Sequence, residues 1–237
     1  MTFEVRDLRQ LSSKPKRKTK GFLICFSGID GSGKTSHARS LLNYLFNLGY
    51  SCTYVSGSFR LFLSSFFYGF TWFLGYWKRL QIDEDTFLID PLGQATSNLR
   101  KKIDSVLRLL LFVDLQIGMT CKVRFPLLFR KVVVCDRYVY DIIAGLSSEN
   151  LNTESFCKLL LQTTPTPKLV FLTDAPKEVL KARRSISTDF LNKKKRAYQI
   201  LARSNHFYIL NSSDDFKKNE QKIRQILLSR LEDNHAM

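Results

Sequence analysis

The sequence has few of the residues that build disulfide frameworks or metal centres. Its 237 residues include five cysteines, an odd number with no Cys-x-x-Cys pair, and three scattered histidines. Small disulfide-rich domains and zinc modules need regular ligand spacings, so neither class fits. Cys25 and Cys135 lie inside apolar runs, where cysteine behaves as a small hydrophobic residue. We therefore expect reduced, buried thiols and a cytoplasmic protein.

Long hydrophobic runs are also scarce. No apolar segment precedes residue 21, so we expect no secretory signal. One uncharged stretch, LFLSSFFYGFTWFLGYW at 61–77, has 17 residues, with two glycines among them. That length is at the bottom of the transmembrane range. We expect a buried or partner-covered helix there, with a membrane-facing helix in peripheral contact and a true span as alternatives.

Acidic residues are outnumbered by basic ones. Lys and Arg total 37 against 21 Asp and Glu, which gives a formal net charge of +16. Such a surplus favours polyanionic partners or phosphorylated ligands. Part of it lies in the run SSKPKRKTK, which we interpret as a flexible, solvated arm at 1–20 rather than a nucleic-acid or lipid site. A nucleic-acid partner is therefore not expected.

What the chain does contain is a series of apolar runs that alternate with helical patterns. A content of 44% hydrophobic and 24% charged residues is typical of a soluble globular domain. Strands are predicted at 22–27, 132–136 and 169–174, with weaker signals at 51–56 and 206–211. Apolar stripes at helical spacing follow Lys34, around residues 103–111, and from 216 to 231. Strand, helix and strand in repetition predict a doubly wound α/β sheet, formed by a single domain over 21–237.

The segment GIDGSGKT, between the first strand and the first helix, matches the phosphate-loop pattern G-x-x-x-x-G-K-[ST] at every fixed position. Glycines let successive backbone N–H groups turn towards a phosphate, and the following helix presents its N-terminus to the same anion. The lysine can reach the β- and γ-phosphates, and the threonine hydroxyl can bind Mg²⁺. We predict an ATP site formed by Gly28, Ile29, Asp30, Gly31, Ser32, Gly33, Lys34 and Thr35.

The run VVVCDRYVYD at 132–141 carries a second candidate site. Asp136 ends a predicted buried strand, at the edge where open α/β sheets place ligands. An acid there can hold Mg²⁺ together with Thr35, and Arg137 can neutralise charge on a transferring phosphoryl group. The alternative is a structural one, in which Asp136 caps a turn and Arg137 pairs with it.

The phosphate loop with an acid at its third position, followed about a hundred residues later by Asp-Arg-Tyr at the end of a strand, resembles the thymidylate kinases. The runs LRLLLF (107–112) and PTPKLVFLTDAPKEVLKAR (165–183) are also similar to that family. The resemblance implies a five-stranded parallel sheet of the P-loop nucleoside monophosphate kinase type. It also implies transfer of the ATP γ-phosphate to dTMP with Mg²⁺, and a homodimer as a possible assembly.

The same resemblance implies roles for individual residues. Asp30 would contact the acceptor sugar, Arg137 a phosphate, and Tyr138 would pack near the sugar. Some relatives carry a catalytic arginine directly after the loop acid, where this chain has Gly31. Charge stabilisation would then come from a lid after the fourth strand, with Arg183 or Arg184 as catalytic candidates and the basic run 193–196 behind them.

The chain departs from the family pattern on the thymine side. Only Arg60 stands near the turn that usually carries Arg-Glu-Pro-Gly, Gln116 replaces the arginine expected to read thymine, and Asp141 stands where serine is common. A site that lacks such hydrogen-bonding groups discriminates less between bases. Another hydroxyl or phosphate acceptor, such as an amphipathic or membrane-presented one, is therefore one alternative to dTMP, and a nucleotide-binding regulator without catalysis is another.

Overall fold

The structure is a computed structural model and describes residues 20–57, 62–74, 77–83, 86–91, 97–148, 154–176, 188–204 and 207–232. Strands and helices alternate along most of these ranges. The strands are β1 (Leu23–Gly28), β2 (Cys52–Ser56), β3 (Trp77–Asp83), β4 (Thr86–Pro91), β5 (Val132–Asp136), β6 (Leu169–Asp174) and β7 (Tyr208–Asn211). The helices are α1 (Lys34–Asn47), α2 (Phe62–Phe73), α3 (Ser97–Met119), α4 (Phe125–Leu128), α5 (Val139–Ser148), α6 (Glu154–Thr163), α7 (Thr188–Ser204) and α8 (Phe216–Glu232).

Five of the strands form one parallel sheet in the order β2-β5-β1-β6-β7. The register pairs Cys25 with Cys135 on one side of β1 and with Val170 on the other. Because β5 and β6 both flank β1, the chain leaves the carboxyl end of β1 at the point where the strand order reverses. Ligands bind at such crevices in open α/β sheets. The predicted five-stranded, doubly wound parallel sheet is therefore confirmed.

Alternate residues of the central strands feed two separate hydrophobic layers, as the two-residue period of a strand requires. On one face, Ile24 and Phe26 pack with residues of α1 and α8 such as Leu45 and Leu227. On the other face, Leu23 and Cys25 pack with side chains from α3, α5, α6 and α7. Helices on both faces explain why these strands are apolar throughout instead of alternating.

The segment 61–77 differs from the single helix that the sequence suggested. Helix α2 ends at Phe73, and Trp77 already begins β3, which pairs antiparallel with β4 as a hairpin outside the main sheet. The sequence analysis missed this hairpin. Several aromatic side chains of α2 are exposed in the isolated chain rather than buried.

The alternative of a membrane span receives no support from the helices. Among the residues that the structure describes, none of the helices combines the length and the apolar character needed to cross a bilayer. The proposed arm at 1–20 falls almost wholly outside the described ranges, which begin at residue 20.

Candidate active site

The predicted phosphate loop connects β1 to α1 at the switch point of the sheet. Gly28, Gly31 and Gly33 have φ values of 142°, 86° and 91°, a region of backbone space that side chains other than glycine rarely adopt. A Cβ at Gly28 would also collide with the carbonyl oxygen of Thr173 on β6. Glycine is thus required at the start of the loop both by its conformation and by the close approach of β6.

Lys34 is folded over the loop and is almost completely buried. Its Nζ donates hydrogen bonds to the carbonyl oxygens of Gly28 (2.8 Å) and Ile29 (2.7 Å) and lies 3.6 Å from Asp30 Oδ1. Burial lowers the pKa of Lys34, while the nearby carboxylates of Asp141 and Asp30 oppose that shift. The ammonium group is therefore held at the loop by backbone carbonyls, in a position from which a phosphate could recruit it.

Thr35 and Asp136 meet at the mouth of the loop, although 101 residues separate them. The Thr35 hydroxyl donates to Asp136 Oδ2 (2.6 Å), and the Tyr54 hydroxyl donates to the same oxygen (2.8 Å). Burial and, to a smaller extent, the hydrogen bond to Asp136 raise the pKa of Tyr54 to about 12. The sequence predicted that Thr35 and Asp136 would lie together, but it gave no sign of Tyr54.

The other carboxylate oxygen of Asp136 makes the site suitable for a cation. Asp136 Oδ1 is buried, and no hydrogen-bond partner for it lies among the described residues, which is costly for a charged group. Mg²⁺ prefers oxygen ligands and is often held by one or two protein groups plus substrate phosphates. Thr35 and Asp136 therefore fit Mg²⁺. A cluster of three or more His, Cys, Asp or Glu able to hold a metal does not occur within the described ranges.

Asp30 and Arg137 form an ion pair beside the loop, with Arg137 Nη2 2.6 Å from Asp30 Oδ1. Burial by itself would raise the pKa of Asp30, but the charges of Lys194, Lys34 and Arg137 outweigh it and lower the pKa. Arg137 is 45% exposed, so its guanidinium group remains accessible to a ligand.

The backbone around Arg137 is unusual. Its φ is 73°, one of two positive values at non-glycine residues within the described residues. Gly57, just after β2, donates its N–H to the Asp136 carbonyl oxygen (2.6 Å), and a Cβ at Gly57 would collide with the Arg137 carbonyl. The turn after β2 therefore packs against the backbone of Asp136 and Arg137 and helps to hold it in this strained conformation.

Asp141, in the first turn of α5, links three elements at the start of the loop. Its Oδ1 accepts from the Gly28 N–H (3.2 Å) and the Tyr198 hydroxyl (2.8 Å), and its Oδ2 accepts from the Tyr138 N–H (2.9 Å). The same Tyr198 hydroxyl lies 3.0 Å from the Gly28 carbonyl oxygen. The aspartate that departs from the family pattern is therefore a structural anchor between the loop, α5 and α7.

The loop is also tied to the carboxyl ends of β6 and β7. Ser32 Oγ lies 2.6 Å from Thr173 Oγ1, and the Ser212 hydroxyl donates to the Ser32 carbonyl oxygen (2.6 Å). Tyr198, Thr173 and Ser212 contact the loop, and the sequence analysis missed all three. Each lies more than 130 residues from its partner in the loop, so no local pattern could have shown them.

Two residues predicted to bear on the acceptor are engaged elsewhere. Tyr138 is only 1% exposed, and its hydroxyl donates to the Pro165 carbonyl oxygen (2.5 Å). Gln116 donates to Thr163 Oγ1 (2.8 Å) and accepts from Arg124 (3.1 Å), which joins α3 to α6. The acceptor role of Tyr138 stays a prediction, and in this conformation its ring offers almost no surface to a ligand.

The lid candidates Arg183 and Arg184 lie outside the described residues. The basic run behind them falls on α7, where Lys195 Nζ is 2.9 Å from Asp174 Oδ1 at the end of β6. The charge of Lys194 also acts on Asp30. Helix α7 therefore brings positive charge to the carboxyl edge of the sheet.

Comparison with known proteins agrees with this architecture. No protein-family model matches the sequence. The chain is 22% identical to a probable thymidylate kinase from Staphylothermus marinus over 223 residues, 90% of this chain and 98% of that protein. It also resembles the crystal structure of thymidylate kinase from Ehrlichia chaffeensis, with a TM-score of 0.59 and 16% identity, covering 89% of this chain and 100% of the other. The resemblance carried by the loop and the Asp-Arg-Tyr run is thus confirmed: the chain is thymidylate-kinase-like in sequence and in fold.

Proposed function

We propose that this protein is an ATP- and Mg²⁺-dependent nucleoside monophosphate kinase with dTMP as its acceptor. In the reaction, a phosphate oxygen of dTMP attacks the γ-phosphorus of ATP. The bond from that phosphorus to the β-γ bridging oxygen breaks, which gives dTDP and ADP. The observation that carries the proposal is the meeting of Thr35 and Asp136 at the mouth of a glycine loop, on the ligand-binding edge of the sheet.

The donor side is formed by the loop and the start of α1. The backbone N–H groups of residues 31–35 would bind the β-phosphate, and the N-terminus of α1 adds its partial positive charge. Lys34 would exchange its hydrogen bonds to Gly28 and Ile29 for phosphate oxygens. Thr35 and Asp136 would hold Mg²⁺, which when bound neutralises charge on the β- and γ-phosphates.

The acceptor side centres on Asp30 and Arg137. A half-exposed guanidinium can bind a monophosphate through paired hydrogen bonds, and its ion pair with Asp30 fixes the direction in which it points. Asp30 would in turn accept a hydrogen bond from the acceptor sugar. Arg183 or Arg184 would complete the charge stabilisation from the lid. We base these acceptor and lid roles on the resemblance to thymidylate kinases together with the Asp30–Arg137 pair.

A second candidate function keeps the same chemistry with another acceptor. Gln116, at the position where a thymine-reading arginine is expected, makes its hydrogen bonds to Thr163 and Arg124. A base pocket without that contact gains little selectivity for thymine over other bases. This observation favours a broader or different monophosphate, or a hydroxyl acceptor.

The test is an acceptor panel. The purified full-length chain is incubated with ATP, Mg²⁺ and each common nucleoside monophosphate in turn, and the products are separated by chromatography. We expect equal amounts of ADP and dTDP from ATP and dTMP, and no transfer to any acceptor by Lys34→Ala. Turnover of another acceptor but not of dTMP would support the second candidate. No transfer at all, together with salt-sensitive binding of nucleic acid, would support the regulator instead.

A homodimer and a cytoplasmic location also remain proposals. The thymidylate kinase resemblance supports both. Light scattering on the purified chain measures its molar mass directly, and a mass of 27.5 kDa at micromolar concentration would contradict the dimer.

A further inference from the structure

The peptide group of Gly28, at the end of β1, is held by side chains from three helices. Its N–H donates to Asp141 Oδ1 on α5 (3.2 Å). Its carbonyl oxygen accepts from Lys34 Nζ, at the start of α1 (2.8 Å), and lies 3.0 Å from the Tyr198 hydroxyl on α7. Gly28 is buried, and Tyr198 is only 3% exposed. A carbonyl in such surroundings needs a donor from the protein, because burial separates it from bulk water.

The two carbonyls that hold Lys34 differ in their other donors. The Ile29 carbonyl oxygen accepts from Lys34 Nζ (2.7 Å) and also from the Ser32 N–H (3.2 Å), which belongs to the loop itself. The second donor beside the Gly28 carbonyl is instead the hydroxyl of Tyr198, 170 residues away in the sequence. If Lys34 moves to a phosphate, the Gly28 carbonyl therefore depends on α7 for a hydrogen bond.

The Tyr198 hydroxyl has two acceptors within reach. It lies 2.8 Å from Asp141 Oδ1 and 3.0 Å from the Gly28 carbonyl oxygen, and it has a single proton to donate. Burial and then the charge of Asp141 raise the pKa of Tyr198, so the hydroxyl keeps that proton at neutral pH. While Lys34 occupies Gly28, the proton is available to Asp141. Once Lys34 leaves, rotation of the O–H bond can direct it to Gly28 without movement of the ring.

We propose that Tyr198 is a positioning residue of the ATP site, whose hydroxyl takes over the Gly28 carbonyl when Lys34 moves to the β- and γ-phosphates. Asp141 keeps the Gly28 N–H during this exchange, so the peptide that begins the loop retains its orientation. Because Tyr198 belongs to α7, the exchange also ties this basic helix to the occupied loop. The role of Tyr198 rests on the proposed function, in which a phosphate binds Lys34.

The first test is the nucleotide affinity of Tyr198→Phe, which removes the hydroxyl and keeps the ring. In the ligand-free variant Lys34 still donates to Gly28, whereas in the nucleotide complex the buried carbonyl is left without its donor. A buried acceptor that loses its partner costs more than one that exchanges partners. We therefore expect Tyr198→Phe to bind ADP with Mg²⁺ about tenfold or more weakly than the wild type in isothermal titration calorimetry.

The matched control is Tyr208→Phe, which also removes one tyrosine hydroxyl. Tyr208 lies on β7, and its hydroxyl accepts a hydrogen bond from Arg230 Nε on α8 (3.2 Å). That bond does not involve the phosphate loop, so we expect Tyr208→Phe to bind ADP like the wild type.

A second test examines the shared carbonyl without any nucleotide. Lys34→Met removes one donor near Gly28, and Tyr198→Phe removes the other. Each single variant leaves the carbonyl one donor, and the double variant leaves neither. Tyr198→Phe should therefore lower the midpoint of denaturant unfolding further in the Lys34→Met background than in the wild type. A tyrosine that only packs in the core would lower it equally in both.

Either of two results would overturn the proposal and leave the kinase function standing. These are a Tyr198→Phe variant that binds ADP as tightly as the wild type, and equal midpoint losses in the two backgrounds. Weaker ADP binding by Tyr198→Phe, in a chain that does not phosphorylate dTMP, would support the role of Tyr198 and reject the acceptor. A wild type that does not bind ADP would contradict both.

Should Tyr198→Phe fail to fold, a crystal structure of the wild type with ADP and Mg²⁺ decides. Lys34 Nζ on the β-phosphate, with Tyr198 Oη within about 3.2 Å of the Gly28 carbonyl oxygen, would support the exchange. A Gly28 carbonyl that keeps Lys34, or that has lost Tyr198, would refute it.

Discussion

At the scale of single residues, the site depends on a few side chains that meet from distant parts of the chain. Asp136 is the central one, because its two carboxylate oxygens have different surroundings. Oδ2 accepts from Thr35 and Tyr54, while Oδ1 is buried and has no hydrogen-bond partner among the described residues. The negative charge, more than the hydrogen bonds, should therefore determine function.

Replacing the Asp136 carboxylate tests this directly. Asp136→Asn keeps the shape but removes the charge, and we expect phosphoryl transfer to fall on the order of 100-fold or more with a higher Mg²⁺ requirement. Tyr54→Phe removes one hydrogen bond and keeps the charge, so its activity should change by less than about tenfold. Initial rates across a Mg²⁺ titration measure both. Equal effects of the two variants would contradict a metal role for Asp136.

The ion pair between Arg137 and Asp30 predicts a pH dependence of stability. The folded state lowers the pKa of Asp30, so the pair's contribution is complete above about pH 4, the pKa of a free aspartate. It is lost as the pH falls through the lower, folded value, because the unfolded chain then binds the proton first. Arg137→Gln should therefore be less stable than the wild type at pH 6, and the difference should shrink towards pH 3.

The control for this experiment is Arg130→Gln. Arg130 is also exposed and also has a positive φ, 55°, so it matches Arg137 in charge and backbone strain. Denaturant unfolding of both variants at the two pH values gives the free energies. A difference between wild type and Arg137→Gln that stays constant with pH, or appears equally in Arg130→Gln, would argue against the Asp30 pair as its source.

At the scale of elements, the sequence predicted the sheet well because buried parallel strands leave a simple signal. Each of the five predicted strands is present with its ends shifted by at most two residues, and α1 begins at Lys34 as expected. The hairpin β3–β4 was missed because Trp77–Asp83 and Thr86–Pro91 carry charges and lack the Asn-Gly or Asp-Gly turn that identifies hairpins.

Parts of the candidate site could not have been predicted from sequence for a different reason. The glycine loop is contiguous, so its eight adjacent residues can be recognised from the sequence pattern alone. The anchors Thr173, Tyr198 and Ser212 are ordinary polar residues on other elements, and only the packing of β6, α7 and β7 brings them to the loop. Burial of Tyr138 against Pro165 is likewise a tertiary effect.

The link between α5, α7 and the loop predicts an energetic coupling. Each carboxylate oxygen of Asp141 accepts from one backbone N–H. Asp141→Asn replaces one of these oxygens by an amide donor, which should cost about 1–3 kcal/mol. Tyr198→Phe should cost about 1 kcal/mol. Because both act on Gly28, the double variant should depart from additivity by about 0.5–3 kcal/mol. Denaturant unfolding of the four proteins measures the cycle, and strict additivity would contradict the link.

The close contact between Gly57, in the turn after β2, and the Arg137 backbone leads to a second prediction at this scale. Gly57→Ala introduces a Cβ into the Arg137 backbone and should destabilise the fold by about 1–3 kcal/mol. The control is Gly69→Ala in α2, where a Cβ meets nothing within 4 Å and higher helix propensity should stabilise by about 0.5–1 kcal/mol. Thermal unfolding distinguishes the expected loss of stability in Gly57→Ala from the expected gain in Gly69→Ala. A neutral Gly57→Ala would mean that the turn does not support Arg137.

At the scale of the whole molecule, the strand order of the sheet determines the position of the candidate active site. The sheet order places the ends of β1, β5 and β6 side by side, which collects the loop, Asp136 and the positive charge of α7 at one edge. The net charge of +16 suits a protein whose proposed ligands are phosphate esters.

A crystal structure of the protein with ADP, Mg²⁺ and a nucleoside monophosphate tests the central claim most directly. We predict a β-phosphate oxygen about 2.7–3.2 Å from backbone nitrogens of residues 31–35, and Mg²⁺ bound to Thr35 Oγ1 with Asp136 reached directly or through water. The monophosphate should lie beside Arg137. A nucleotide bound elsewhere, or loop N–H groups pointing away from it with Asp136 remote from the metal, would contradict the account.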